Sequence, residues 1–473
     1  MRPTAARAQP DVGKRPRRAA PPARDARPRT GFTTAVAVTT AALLVAGTLG
    51  TLYLRHWGRV GFEVPSVPYY FAFPFYIFPH PRLAPAWAAA AVPVAAAAVA
   101  ALAALHRAQV AWTVRVAAAA VLAAVLALAV AALAGGPHAW GAPFDYAGEY
   151  PAGAGQVGAL PTFLREFPAR LPSLPTHATG HPAGAMVLYA VVARAWPGLT
   201  AAALATVAIG SLGSVAAGGL ARDELGEAGG RDALLLWVLS PGVVLYLATS
   251  ADAVFAAVLG MAALAAHRGL ARRSPAWTVA GGVLLWAASM LTYAAVLLLV
   301  FLGVRAAGRL RRDPAWVARW AVGTAAVTLG LAGLLWLAAG YDVPAAVRAV
   351  HRAYQAAPGS ADRSLAQWLP GDVVAFAGML GVPLAAALGA RAVAVVRERA
   401  WASVDAAALA TLLAAASWGF TKGEVERIFQ FLVPLVLVPA TRQLRTWRAS
   451  LPVVAALLAA QFLLVQVLFE TRW

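Results

Sequence analysis

Long uninterrupted apolar runs constrain this chain more than any other feature. Residues 116–134 read VAAAAVLAAVLALAVAALA, without one polar side chain, and similar runs recur along nearly the whole sequence. A helix of about 20 apolar residues crosses the ~30 Å hydrocarbon core of a bilayer. Only 12% of the 473 residues are charged, whereas a water-soluble domain carries about 25%. The sequence therefore predicts a membrane protein with many spans.

The apolar runs are continuous and rich in Ala and Leu, which disfavours a β-barrel because its strands alternate polar and apolar residues. We expect an all-α, polytopic transmembrane helical bundle of about 12–14 membrane segments with short extracytoplasmic loop helices. The candidate segments are residues 32–54, 84–105, 116–134, 182–196, 199–221, 232–249, 253–266, 276–290, 291–304, 317–339, 373–396, 402–420, 427–441 and 451–469.

Residues 1–30 are rich in Arg, Pro and Ala and lack an apolar pattern. This composition predicts a disordered basic cytoplasmic tail, followed by one polytopic membrane domain over residues 31–473. Two stretches depart from simple spans. Residues 276–304 fit two short helices, and residues 182–221 contain two apolar runs, one of which we expect to be re-entrant or interfacial.

The net charge of +19 suggests nucleic-acid binding at first sight. The positions of the Arg residues, which are concentrated in loops between the apolar segments, favour membrane topology as the reason instead. Basic clusters fall at residues 106–115, 267–273, 305–319, 391–399 and 442–448, all on the side of the N-terminus. By the positive-inside rule this side is cytoplasmic. The loops 55–83, 135–181 and 340–372, with the turns near 250–252, 289–293 and 421–427, then face outward from the cell membrane.

Two carboxylates lie in the second outward loop, in the stretch FDYAGEYPAG. Either Asp145 or Glu149 is a candidate general base for an acceptor hydroxyl. Their spacing of four residues predicts that they stack on one helix face. An alternative is that Asp145 only caps an interfacial helix.

Two histidines follow in THATGHPAG. His177 and His181 have a spacing known from helical metal sites, but Gly180 and Pro182 oppose one helix over both. Pro182 is expected to open the next helix, with His181 capping its entrance. There the ring could contact a phosphate or sugar oxygen; metal ligation and plain packing remain alternatives.

The remaining candidates lie at two later turns. Asp252, in ATSADAVF, caps a helix or orients a ligand. TKGEVERIF places Lys422, Glu424, Glu426 and Arg427 at another helix entrance. A guanidinium at such a position suits a lipid phosphate, with the carboxylates holding it in place. A purely anchoring ion-pair cluster is the alternative.

Taken in order, FDYAGEYPAG, THATGHPAGAMVLY, LLLWVLSPGVVLYLATSADAVFA and GFTKGEVERIFQFLVPL resemble the GT-C superfamily over residues of about 135–440. These are integral-membrane glycosyltransferases that use polyprenyl-phosphate-linked sugars. The similarity is to a bacterial branch that commonly reads His-Pro-Pro-Gly where this chain has His181-Pro182-Ala183-Gly184. The superfamily often has adjacent acidic residues in the first outer loop, whereas Asp145 and Glu149 are separated here.

The resemblance implies a mannosyltransferase-like enzyme of the cell envelope that inverts the anomeric carbon. An acidic residue would activate the acceptor, which is a cell-envelope glycan, lipid or protein, and basic residues would bind the departing polyprenyl phosphate. Some superfamily members use a divalent ion, so the cofactor stays open; the sequence shows no nucleotide-binding motif. The alternative function is a lipid or solute transporter or flippase without bond chemistry, and a structural membrane protein is a third possibility.

Overall fold

The computed structural model describes residues 28–56, 77–356, 365–419 and 421–471, and it is a bundle of α-helices. In chain order the helices are α1 (Pro28–His56), α2 (Pro85–Arg107), α3 (Trp112–Ala132), α4 (His138–Gly141), α5 (Leu160–Arg170), α6 (Thr176–Thr179), α7 (Ala183–Ala195), α8 (Leu199–Gly210), α9 (Gly213–Leu239), α10 (Pro241–Tyr246), α11 (Asp252–Arg272), α12 (Pro275–Leu291), α13 (Leu298–Leu310), α14 (Pro314–Ala339), α15 (Val343–Ala356), α16 (Leu365–Leu380), α17 (Val382–Arg397), α18 (Val404–Ser417), α19 (Val425–Ile428), α20 (Val433–Thr446) and α21 (Leu451–Leu468). Short 3₁₀ turns cover Ala142–Asp145, Tyr150–Gln156, Leu171–Ser173, Tyr293–Leu297 and Phe429–Leu432.

The β-structure in the described ranges consists of two strands of three residues. β1 (Ile77–Pro79) pairs antiparallel with β2 (Phe469–Thr471), with Phe78 opposite Glu470. The pair joins the chain before α2 to the residues after α21. The fold is therefore all-α, as the apolar runs predicted.

Eight helical stretches in the described part of the chain are long and apolar enough to cross a membrane: Gly31–Gly50, Pro85–Arg107, Trp112–Ala132, Leu199–Leu239, Asp252–Arg272, Tyr293–Leu310, Pro314–Ala339 and Leu451–Leu468. Shorter apolar helices are Ala183–Ala195, Pro275–Leu291, Trp368–Leu380 and Val404–Ser417. These helices confirm the prediction of a polytopic bundle. The chain is a multi-pass membrane protein.

The stretch Leu199–Leu239 does not form a single long span. Gly226 has φ 75° and ψ −179°, which lies outside the helical region. Glycine adopts this conformation without a steric penalty because it has no Cβ. The break separates two helical halves of α9 and lies between the predicted segments 199–221 and 232–249. The predicted pair of helices over residues 276–304 is also present, as α12 and α13 joined by the turn Tyr293–Leu297.

The centre of the bundle and its lipid-facing side are distinguished by burial. In the apolar window of α11, 78% of the residues are buried, whereas the figure for α14 is 6%. Helix α11 packs along α12, α9 and α8. Because an apolar helix that touches little protein must be covered by lipid, α14 lies at the periphery and α11 in the core.

The basic clusters found in the sequence meet at one end of the bundle. Each contributes a contact with a carboxylate, and shared carboxylates join several of them. His106 hydrogen-bonds to Asp232, and the ion pairs are Arg445 with Asp232, Arg268 with Asp223, Arg305 with Glu224, and Arg391 and Arg442 with Asp405. The structure thus agrees with the prediction that these loops lie on one side.

One predicted domain falls largely outside the described residues. The basic tail is predicted over residues 1–30, of which 1–27 are not described, and α1 already begins at Pro28. Most of the aromatic and Pro-rich loop at residues 55–83 is likewise outside the described ranges, which omit residues 57–76.

Candidate functional site

Asp145 and Glu149 occupy different environments, contrary to the prediction that they share one helix face. Asp145 ends the 3₁₀ turn Ala142–Asp145 and is exposed. Glu149 precedes the turn Tyr150–Gln156 with an extended backbone and is only 3% exposed. The prediction was wrong because the chain forms two separate turns here, each with a proline, Pro143 or Pro151, as its second residue. Neither carboxylate caps a helix in the way proposed for Asp145.

Glu149 is held by a histidine from the next element. The Nδ1 atom of His177, in α6, lies 2.9 Å from Oε1 of Glu149. Because a carboxylate oxygen accepts, the ring donates through Nδ1. The second oxygen, Oε2, is buried and has no hydrogen-bond partner among the described residues. Leaving such an acceptor unsatisfied costs about 1–3 kcal/mol, so this oxygen is a candidate for contact with a ligand.

His181 lies just before α7 and, contrary to the prediction, does not cap that helix. Pro182 precedes the first helical residue, and no side chain caps the helix there. Instead, Nδ1 of His181 lies 3.2 Å from the carbonyl oxygen of Leu291. A carbonyl only accepts, so Nδ1 carries the proton and Nε2 is the acceptor atom of the neutral ring. Burial lowers the pKa of His181 below its usual value, which favours this neutral form.

The position of His181 depends on a close approach of two backbones. A Cβ atom on Gly184 would lie 2.3 Å from the carbonyl oxygen of Met290. Only glycine therefore lets α7 approach the end of α12 so closely. This contact brings His181 next to Leu291, which gives the Gly of the His-Pro-Ala-Gly stretch a structural reason.

An aromatic cluster supports both histidines. The rings of Tyr150 and Tyr189 stack at 5.5 Å, and the rings of Tyr150 and His181 are nearly perpendicular with their centroids 5.9 Å apart. Phe255, from α11, lies 5.0 Å from the ring of His181. Burial, together with the charges of Asp252 and Glu149, raises the pKa of Tyr150 well above its usual value. Tyr150 therefore stays a neutral phenol.

Arg427 is bound by two carboxylates from different parts of the chain. Its Nη1 donates to Oδ2 of Asp252, at the start of α11, and its Nη2 lies 2.6 Å from Oε2 of Glu424. Asp252 is 5% exposed at its side chain, whereas the figure for Glu424 is 18%. The hydroxyl of Ser250 also donates to Oδ2 of Asp252 at 2.9 Å. Arg427 and Asp252 thus form the buried part of this cluster.

The loop before Arg427 has an unusual backbone and a partner that sequence reasoning missed. Glu424 has φ 61°, in the left-handed region that few residues other than glycine adopt. The amide of the preceding Gly423 donates to Oδ1 of Asp372 at 3.0 Å. Asp372 lies in α16 and is 1% exposed. A carboxylate in the apolar run WLPGDVVAFAGML was a signal, because ionisable residues in such runs commonly have a function.

Two other residues of the TKGEVERIF stretch, Glu426 and Lys422, differ in how deeply they are buried. Glu426 is fully buried, and its charge acts on Tyr246 of α10. Lys422 is half-buried, two residues before Glu424. The predicted roles of Lys422 and Glu426 in binding a ligand remain predictions.

The structure brings most of the candidate residues together. Glu149 and His177 share a hydrogen bond, and the charge of Glu149 acts on Arg427. The charge of Asp252 acts on His181. We call the set Glu149, His177, His181, Asp252, Glu424 and Arg427 the polar cluster. Asp145 is exposed and lies outside it.

The donor set of this region does not suggest a metal centre. No group of three or more His, Cys, Asp or Glu side chains with the spacing to hold a metal ion occurs in the part of the chain that the structure describes. His177 and His181 are bound to Glu149 and to the Leu291 carbonyl instead. What the cluster offers is a buried carboxylate, a neutral imidazole and a paired guanidinium.

Comparison with protein-family models, curated proteins and solved structures gives no match for this chain. A functional proposal for it therefore rests on the chain's own residues and on the motifs that they form.

Proposed function

We propose that this chain is a membrane glycosyltransferase that moves a sugar from a polyprenyl-phosphate-linked donor to an acceptor. The observation that carries the proposal is the pairing of Glu149 with His177 in a cluster that also contains Arg427. A carboxylate with one oxygen oriented and the other unpartnered suits a general base, and a guanidinium suits a phosphate. The resemblance to the GT-C superfamily supports the same pairing of roles.

In the proposed reaction the acceptor hydroxyl attacks the anomeric carbon of the donor sugar. The new C–O bond forms as the bond between that carbon and the phosphate oxygen breaks. The hydroxyl proton passes to Oε2 of Glu149, and the electron pair leaves with the polyprenyl phosphate. Attack from the face opposite the phosphate inverts the anomeric centre. His177 keeps Glu149 in place through Oε1.

To bind Arg427, the phosphate must take over a hydrogen-bonding position, because the guanidinium is already paired with two carboxylates. Glu424 is the more exposed of these partners, and it lies on a backbone in the left-handed region. We therefore assign to Glu424 the role of a replaceable anion: the donor phosphate takes its position on Nη2 of Arg427. Asp252 remains bound to Nη1 and orients the guanidinium.

The proposal includes a location and an orientation. The basic clusters at the opposite end from the polar cluster face the cytoplasm by the positive-inside rule. The N-terminus is then cytoplasmic, and transfer takes place at the outer face of the cell membrane. The acceptor is a glycan, lipid or protein of the cell envelope. Tyr146, half-exposed with its ring 6.1 Å from that of His177, is the side chain that an entering acceptor meets first.

Transfer by the purified protein tests the proposal directly. The unchanged protein, Glu149→Gln and Asp145→Asn are each incubated in detergent with radiolabelled polyprenyl-phosphate hexoses and pentoses and with membrane extracts as acceptors. Loss of a general base slows a reaction by about 10²–10⁴-fold. We expect Glu149→Gln to lose transfer to this extent, while Asp145→Asn, which changes an exposed carboxylate, keeps it.

The outcomes separate the candidate functions. Donor binding without transfer by any of the three proteins, combined with movement of the donor between leaflets of proteoliposomes, would identify a transporter or flippase instead. Full activity of Glu149→Gln together with loss in Asp145→Asn would move the base to the exposed carboxylate and overturn the assignment of Glu149.

A further inference from the structure

A second basic surface lies on α15, outside the polar cluster. This helix buries Ala346, Ala349 and Val350 against the protein and exposes Arg348, His351 and Arg352 on the opposite face. Its neighbours are α5, the turn Leu171–Ser173 and α6. Because α6 carries His177, α15 packs with its buried face beside the element that positions Glu149.

The two arginine charges of this face are not balanced by a carboxylate in the described part of the chain. Neither Arg348 nor Arg352 forms an ion pair with any residue that the structure describes, and the two are four residues apart on one helix face. Like charges at this spacing destabilise a helix by about 0.2–0.5 kcal/mol. Residues Val343–Ala356 include no acidic side chain. An anionic ligand from outside the chain would remove this repulsion.

The position of α15 relative to the bilayer indicates which anionic ligand its exposed face would meet. Helix α14 has 26 residues, so it is about 39 Å long and comparable to a bilayer with its headgroups. Trp336, 57% exposed near the end of α14, belongs to a residue type enriched at the headgroup level. Only Gly340, Tyr341 and Asp342 separate α14 from α15, and Asp342 accepts from the amide of Ala345 at 2.8 Å. Helix α15 therefore begins at the headgroup layer.

We propose that Arg348, His351 and Arg352 form a binding surface for the phosphate groups of anionic membrane lipids. The apolar face of α15 is covered by the protein, so the helix does not insert into the bilayer. Its two guanidinium groups instead reach phosphates that lie beside α14. This surface is separate from Arg427, and its existence does not depend on the proposed transfer reaction.

Fluorescence quenching by labelled lipids tests this surface. The chain has no native cysteine, so Val347→Cys, exposed on the same face, takes a single fluorophore. The labelled protein is placed in nanodiscs with anionic or zwitterionic phospholipids that carry the same nitroxide near the top of the acyl chain. Each basic residue near a membrane surface favours anionic lipid by roughly fivefold, so the anionic quencher should act several-fold more strongly.

Two charge-matched variants decide where the preference arises. Arg348→Gln/Arg352→Gln should bring the ratio of the two quenchers close to one. Arg311→Gln/Arg312→Gln, which removes the same net charge from exposed positions at the other end of α14, should leave the ratio unchanged. All four positions are exposed, so folding is expected to survive, and the melting temperature checks it.

The remaining outcomes overturn the proposal or identify the form of the phosphate. Equal quenching by both lipids in the protein with native arginines, or the same ratio after Arg348→Gln/Arg352→Gln, rejects the lipid surface. Protection of the Val347→Cys thiol from labelling by a soluble anionic polymer, without a lipid preference, would reject it in favour of a polymer site. Loss of the preference on adding millimolar inorganic phosphate would assign the surface to phosphate itself rather than to the lipid.

Discussion

Arg427 and Asp252, 175 residues apart in the sequence, form a buried ion pair that joins α19 to the start of α11. The pair fixes the relative position of two elements that both contribute to the polar cluster. The positive charge of Arg427 also interacts electrostatically with Glu149. Its contributions to stability and to function can be separated by substitution.

Removing one member of the pair should destabilise the protein. Asp252→Asn takes the negative charge from the partner of Arg427, and breaking a buried pair in this way typically costs about 3–5 kcal/mol. Glu424→Gln, at the more exposed partner, should cost far less. The melting temperatures of the two variants in the same detergent provide the comparison. If the two variants have equal melting temperatures, Asp252 is not the dominant partner.

Replacing the whole pair should recover stability without function. Asp252→Leu/Arg427→Met exchanges two buried charges for apolar side chains of similar volume, a change that is often neutral or stabilising. We expect a melting temperature above that of Asp252→Asn, together with loss of donor binding. A double variant that still binds donor would show that Arg427 does not contact the phosphate.

His177 should act on the rate through Glu149 rather than on donor affinity. A hydrogen bond to a charged group contributes about 1.5–3 kcal/mol, which corresponds to a loss of roughly 10- to 150-fold in kcat for His177→Phe. His177→Gln keeps a donor and should retain more activity. Steady-state kinetics check both, with an unchanged KM for donor expected. A change confined to KM would mean that His177 contacts substrate.

His181 should make the protein less stable in acid. Above its unfolded pKa of about 6.5 the ring is neutral in both states. As the pH falls below this value, the unfolded chain takes up a proton that the folded chain does not, because burial lowers the pKa in the fold. The free energy of unfolding then decreases until the pH reaches the folded pKa. Melting temperatures from pH 7.5 to pH 5 should fall less in His181→Gln, and parallel curves would contradict the assignment.

The helices were predictable because local chemistry determines them. Apolar runs define their lengths, prolines such as Pro275 and Pro314 stand in their first turns, and Gly226 breaks α9. For the site, the sequence predicted which residues take part but not how they pair. The polar residues at the ends of helices indicated a cluster, but the pairing of Arg427 with Asp252 depends on tertiary packing that no spacing reveals.

The errors have equally physical causes. The helix spacing assumed for Asp145 and Glu149 failed because the chain forms separate 3₁₀ turns there, each with a proline near its start. His181 was expected to cap α7, but the close contact of Gly184 with Met290 draws its ring to a carbonyl on α12 instead. Asp372 was overlooked, since its role is to accept a hydrogen bond from a loop 51 residues later.

The last prediction separates phosphate binding by Arg427 from simple anchoring, and it depends on Glu424. If the donor phosphate replaces Glu424 on Nη2, Glu424→Gln removes a competing charge and should raise donor affinity by up to roughly tenfold, about 1.4 kcal/mol. Arg427→Lys should weaken donor binding although the charge is kept, because an ammonium does not reproduce the planar fork that meets two anions. Donor affinity and melting temperature are measured for both variants, with Lys422→Arg as a control at a half-buried position. An anchoring role predicts the reverse pattern: Glu424→Gln lowers the melting temperature without improving affinity, and Arg427→Lys binds donor normally.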